Sequence, residues 1–281
     1  MLKTRILTAL VLVPCVLAAL FALSPAAFAV VTLVVTGAAA REWGRLAGFG
    51  TPRLPIFVVV TLLLGLALLY PAWSGFGRGW GNEIVLAVCG TSAVFWLCVA
   101  PPWVVARWPT SSPLPMAFVG WVVLCGAWVA IVELQARSPW LLLAAMAIVW
   151  IADTAAYFSG RTFGRRKLAP QVSPGKTWEG VYGALLAVGL YAVALVPLAG
   201  RAGFLMPTSV LAIGLWTTFA LLVTAVSVFG DLFESLLKRH AGVKDSGALL
   251  PGHGGVLDRT DALFAAMPLL ALAAQMFLVK P

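Results

Sequence analysis

Charge is what this sequence has least of. Only 10% of its 281 residues are Asp, Glu, Lys or Arg, 62% are hydrophobic, and the mean hydropathy is +1.00. That scarcity excludes a soluble globular domain, in which about 45–50% apolar content is usual. Histidine is rarer still, with only His240 and His253, so a site built on several imidazole ligands is excluded. The four cysteines, Cys15, Cys89, Cys98 and Cys125, lie apart within apolar runs. No pair has metal-ligand spacing and no redox motif occurs, which leaves them as small core or lipid-facing residues. Internal repeats and low-complexity segments are missing as well.

What the chain does have is long apolar runs. About 20 such residues cross a hydrocarbon core of roughly 30 Å, and the backbone there must be helical because lipid offers it no hydrogen-bond partners. The expected fold is therefore all-α, a polytopic integral membrane helical bundle. Its spans read as residues 6–23, 25–40, 55–71, 84–100, 116–135, 140–159, 180–199, 205–230 and 262–279, about nine transmembrane helices. Only Ser24 and Pro25 join the first two, which predicts a tight helical hairpin.

Orientation follows from the basic residues. A cytoplasmic N-terminus puts fifteen of the nineteen Lys and Arg inside and leaves Arg78, Arg137, Arg201 and Lys280 outside, the bias that the positive-inside rule requires. The expected location is the cell's inner membrane, with loops 161–179 and 231–261 cytoplasmic. This topology accounts for the formal charge of +9, so nucleic acid is not an expected partner. Lys3, Arg5 and the "AFA" at 27–29 also resemble a secretory signal and its cleavage site. Cleavage there would leave residues 30–40 too short to span and would spoil the charge asymmetry, so an uncleaved first helix is expected.

The ten carboxylates are unevenly spread: Glu42, Glu83 and Glu133 precede residue 150, and seven follow it. Residues 1–149 accordingly read as transmembrane scaffold and 150–281 as the catalytic part. Within the latter, Asp153, Tyr157 and Arg161 recur every four residues and share one helical face. An acid inside a membrane helix costs roughly 2.5–3.5 kcal/mol by insertion scales, so Asp153 is expected to face a polar cavity or to pair with Arg161. Further on, "SPGKTWE" ends like a phosphate-binding P-loop, but Pro170 stands at the first glycine position and an all-helical chain supplies no preceding strand. The reading preferred is Ser173 as helix N-cap and Pro174 as first helical residue, with Lys176 near exposed backbone N–H groups that favour phosphate.

Asp231, Glu234, Ser235 and Lys238 fall at i, i+3, i+4 and i+7, a polar stripe pointing into a cavity or lying at the interface. "PGHGGVLDRTD" at 251–261 then offers a backbone able to turn sharply, followed by Asp258 and Asp261 on one helical turn. Helix capping explains one of these acids well and two less well. Three carboxylates without soft ligands suit a hard divalent ion such as Mg²⁺, and neighbouring basic residues suit polyphosphate. The combination points to nucleotide or phosphoryl chemistry on a lipid.

The run from Ser235 to Asp261, S-x-x-K-R-x(4)-K-D-S-G-x-L-x-P-G-H-G-G-x-x-D-R-x-D, resembles the signature of the phosphatidate cytidylyltransferases. The segment 153–180 is similar to that family's second polar stretch, so the motifs cover about the last 130 residues. The resemblance implies transfer of the cytidylyl group of CTP to phosphatidate with Mg²⁺, in a cavity open to the cytoplasm and in contact with bilayer lipid. In that reading Asp231, Asp258 and Asp261 hold the metal. Lys244, counted with them as catalytic, joins Lys238, Arg239 and Arg259 in neutralising triphosphate and pyrophosphate. Ser173, Lys176 and Ser235 line the substrate site, and Asp153 and Tyr157 shape the cavity. Asp245 orients Lys244 or a base edge, and His253 binds phosphate or fixes the loop. A second, monovalent ion and a homodimer are left open. So are two rivals, a CTP-dependent lipid kinase, which would release CDP instead of pyrophosphate, and an ion-coupled transporter, which would carry polar groups at the midplane of both halves.

Overall fold

The computed structural model describes residues 2–73, 79–201 and 209–277. Its elements are α1 (Leu2–Ala22), α2 (Pro25–Leu46), α3 (Arg53–Trp73), α4 (Asn82–Val94), α5 (Ala100–Ala106), α6 (Pro113–Arg137), α7 (Pro139–Phe163), β1 (Lys167–Ala169), β2 (Ser173–Thr177), α8 (Trp178–Arg201), α9 (Val210–His240) and α10 (Leu257–Phe277). Every expected span falls on a helix. Among the described residues, seven helices are long and apolar enough to cross a membrane, and the protein is a multi-pass membrane protein. Arg78, Lys280, residues 205–208 of the eighth expected span and 278–279 of the last lie outside the described residues.

Local chemistry sets the helix ends. Ser24 accepts the N–H of Ala27 and Pro25 opens α2, which gives the tight hairpin expected there. Between α4 and α5 the helix widens into a π turn over Phe95–Val99, where Ala100 N–H reaches the carbonyl of Phe95. Pro101 and Pro102 follow directly; they lack N–H donors and crowd the preceding turn, so the ladder slips there. α6 forms the centre, with 67% of its apolar window buried against 17% for α8, which faces outward.

Two expectations are corrected: that no strand precedes "SPGKTWE", and that Ser173 and Pro174 start a helix. Residues 167–177 form an antiparallel hairpin, with Lys167 opposite Thr177 and Ala169 opposite Ser173. Ser173 and Pro174 therefore lie in a strand and not at a helix start. The cap of α8 is Thr177, whose Oγ1 accepts the N–H of Gly180 at 3.2 Å. Glu179 then ties the turn after α7 by accepting the N–H groups of Arg165 and Arg166.

The crossing of α9 and α10 matters most for the site. A Cβ on Gly230 would stand 2.7 Å from Ala265 Cβ and from the carbonyl oxygen of Asp261. Only the missing side chain allows so close an approach, the device by which small residues join membrane helices. It sets Asp231, the next residue, beside Asp261.

Candidate active site

The polar groups of the C-terminal part meet at the loop-bearing end of the bundle. On α9 the stripe is ordered by its own helix: Ser235 Oγ donates to Asp231 Oδ1 at 3.2 Å, and Lys238 Nζ lies 2.5 Å from Glu234 Oε2. Lys238 also reaches across to Asp258 Oδ1 on α10 at 2.8 Å. From β2, Lys176 Nζ reaches Asp231 Oδ2 at 2.6 Å. Lys176 thus stands in a strand and not among the exposed N–H groups of a helix start, and the hairpin aims its ammonium at a carboxylate of α9.

Asp258 is held from four directions. Besides Lys238, its Oδ2 accepts the N–H of Gly255 at 2.7 Å, the N–H of Ser246 at 2.9 Å and the Ser246 hydroxyl at 3.0 Å. Burial alone would raise this carboxyl. Lys238 and the two amides outweigh it and hold Asp258 below the usual carboxylate range. Asp258 consequently fastens the 246–255 loop and does not cap its own helix. Gly254, with φ at 88°, makes the turn that brings the loop back, and Leu250 bridges to it.

Asp261 lies one turn further on, within electrostatic reach of Asp231, Glu234 and Lys176, and Asp153 of α7 faces Lys176 and Asp231. Five carboxylates therefore share this end with two lysines. Asp153 does not form an ion pair with Arg161, whose Nη1 donates instead to Tyr157 Oη at 2.7 Å. Tyr157, Phe158 and Phe163 of α7 and Trp178 and Tyr182 of α8 are all exposed around the hairpin.

Several expected residues stand away from this cluster. Arg239 donates to the carbonyl of Val172, and Arg259 holds the carbonyl of His253 through two nitrogens, at 2.9 and 2.7 Å. Lys244 and Asp245 are exposed on the loop. Ser173 is half-buried in β2, and His253 keeps Nδ1 buried without a hydrogen-bond partner. Two residues not singled out for the site belong to it. Glu234 was visible in the polar stripe, whereas Ser246 carried no signal beyond its place in the signature.

Excess carboxylate fits a hard cation, since oxygen donors without thiolate or paired imidazole are what Mg²⁺ takes. Asp231, Asp258 and Asp261 are not gathered around one point, however. Among the described residues, no group of three or more His, Cys, Asp or Glu side chains forms a ready-made ligand cage. Asp231 and Asp261 are the facing pair, while Asp258 is occupied by the loop and Lys238.

Residues 3–277 match the model of the cytidylyltransferase family. The chain belongs to that family. It is 41% identical over 275 residues to the phosphatidate cytidylyltransferase of Pseudomonas aeruginosa, covering 96% of each chain. The phosphatidate cytidylyltransferase of Haemophilus influenzae is 37% identical over 290 residues, with 95% of this chain and 96% of that protein covered. A shorter match, 50% identical over 133 residues, joins 47% of this chain to 45% of the Brucella suis protein of the same name. The likeness to the first two cytidylyltransferases thus extends through the N-terminal helices, where the motifs of the C-terminal part do not reach.

Proposed function

We propose that this protein transfers the cytidylyl group of CTP to phosphatidate, giving CDP-diacylglycerol and pyrophosphate, at the cytoplasmic face of the inner membrane. The observation that carries the reading is the cluster itself: five carboxylates and two lysines folded together from the two polar segments, at one end of a membrane bundle. A transporter would spread such groups through both halves near the midplane.

The chemical obstacle is repulsion between a lipid phosphate and a nucleotide triphosphate. An oxygen of the phosphatidate phosphate attacks the α-phosphorus, the bond from that phosphorus to the bridging oxygen breaks, and pyrophosphate leaves with the electron pair. The attacking group is already ionised, since a phosphate monoester has its second pKa near 6, so no side chain has to remove a proton. Lys176 and Lys238 place positive charge inside the cluster, and Lys244, Arg239 and Arg259 add it from the loop side. Asp231 and Asp261 would hold Mg²⁺, with Asp258 as the third acid beside Lys238. When bound, the ion supplies charge neutralisation and polarises phosphoryl oxygens. Ser235 orients Asp231, and Arg259 fixes the backbone at His253.

The test is incubation of purified protein with radiolabelled CTP, phosphatidate and Mg²⁺. Lipid-extractable label with release of pyrophosphate is expected; CDP as the product would transfer the assignment to a lipid kinase. Orientation has its own test: single cysteines at 78 or 201 should react with an impermeant reagent from outside, and those at 165 or 244 should not. The reverse pattern would set the cluster on the wrong side for cytoplasmic CTP.

A further inference from the structure

The first N–H groups of α10 are held by a residue from the other part of the chain. Glu42, on the last turns of α2, is 5% exposed. Its Oε1 accepts the N–H of Val256 at 3.1 Å, and its Oε2 accepts the N–H of Leu257 at 2.9 Å and the Ser246 hydroxyl at 3.0 Å. Gly247 and Gly255 pack so closely that a Cβ on either would collide with this carboxylate.

One of these donors, the Ser246 hydroxyl, also serves Asp258. Ser246 Oγ lies 3.0 Å from both Glu42 Oε2 and Asp258 Oδ2, and its single proton is shared between them. Val256 and Leu257 begin the helix that carries Asp258 and Asp261, and the N-terminal N–H groups of a helix need an acceptor from elsewhere. A carboxylate there satisfies two donors and complements the helix dipole. Neither Asp258 nor Asp261 fills this place, because Asp258 binds the loop and Asp261 Oδ1 accepts only the next amide, that of Ala262.

We infer that Glu42 is a positioning residue for the cytidylyl transfer: through Ser246, Val256 and Leu257 it fixes the angle at which α10 presents Asp258 and Asp261. The inference rests on the function proposed above for these two acids. Glu42 does not touch the reacting atoms, since both of its oxygens are spent on the loop and helix start. A glutamine here keeps the volume but offers one acceptor for three donors and turns an NH₂ group toward backbone N–H. A misplacement of the order of 1 Å at a reacting centre costs about 10²-fold in rate.

The experiment compares full-length wild type, Glu42→Gln and Ser246→Ala in detergent or nanodiscs. It measures kcat and KM for CTP, thermal unfolding, and hydrogen–deuterium exchange of residues 255–262. In Glu42→Gln, kcat is expected to fall on the order of 10- to 100-fold with KM for CTP within about threefold. Exchange should quicken at 255–262 and stay unchanged in α6. Ser246→Ala keeps both backbone contacts of Glu42 and should show the same pattern at smaller size, which covers the case in which Glu42→Gln fails to fold. Unchanged exchange and kcat in either variant overturns the inference. A lower unfolding temperature with normal kcat per folded molecule also overturns it, since Glu42 would then be structural only. If wild type makes no CDP-diacylglycerol, the functional reading fails by itself, and the exchange data still decide whether Glu42 holds the start of α10.

Discussion

The two ends of α10 carry polar clusters of opposite kinds. At the far end, Glu133 of α6 accepts the side chains of Arg137 at 2.8 Å and Gln275 at 3.2 Å and the backbone N–H of Trp80 at 2.9 Å. Arg137 in turn donates to the carbonyl of Ala274 and to Gln275 Oε1. One acid meets one base, and both are completed by groups of the protein. At the loop-bearing end, about 25 Å along the same helix, the basic partners of Asp153, Asp231, Glu234, Asp258 and Asp261 among the described residues are Lys176 and Lys238. A closed network has nothing left to offer a ligand, whereas five acids with two lysines keep carboxylate oxygens to spare for a further cation. The contrast separates the polar groups that fasten the bundle from those proposed to serve chemistry.

The largest test of that contrast is Asp261→Asn and Asp258→Asn. Each keeps the size and removes charge, and turnover should fall on the order of 10³-fold or more; the unfolding temperature should stay within a few degrees in Asp261→Asn and drop further in Asp258→Asn, which also loses the pair with Lys238. Near-normal rates in Asp258→Asn would assign that residue to the loop alone. Lys244→Met comes next, with kcat/KM expected to fall by about 10²-fold if the exposed ammonium closes on triphosphate. A lysine that stays on its solvated loop would leave the rate untouched. Glu133→Gln should act in the opposite way. Breaking a buried, hydrogen-bonded pair costs about 3–5 kcal/mol, so the unfolding midpoint should drop while kcat per folded molecule holds; a loss of kcat without loss of stability would erase the distinction between the two ends. The smallest effect is expected from His253→Gln. With the nucleophile already ionised, the shape of the kcat/KM profile between about pH 6 and 9 should not change, and disappearance of a limb would make His253 a base.

The bundle was legible because apolar runs of spanning length have few other fates in a chain this poor in charge, and the α9 stripe was legible because its partners stand three and four residues apart. The hairpin at 167–177 was not. Its strands have three and five residues, too few for an alternating pattern, and "SPG" resembles a helix start more than a strand. Glu42 was hidden for a different reason: its partners lie 204 to 215 residues away, beyond any periodicity. The available signal is the acid in "AAAREWG", the single carboxylate of α2, but it stands in the part of the sequence that holds only three of the ten carboxylates.

The exposed rings around the hairpin have a consequence for depth. Tryptophan and tyrosine settle at the plane of the lipid headgroups, and Trp178, Tyr182 and Tyr157 are exposed toward the ends of α7 and α8 that the two strands join. Lys176 stands two positions before Trp178, so an interface at these rings would set the ammonium that reaches Asp231 near the level of the lipid phosphates. A phospholipid can then arrive by sliding sideways within its own leaflet, its acyl chains never leaving the oil, while the water-soluble partner descends from above.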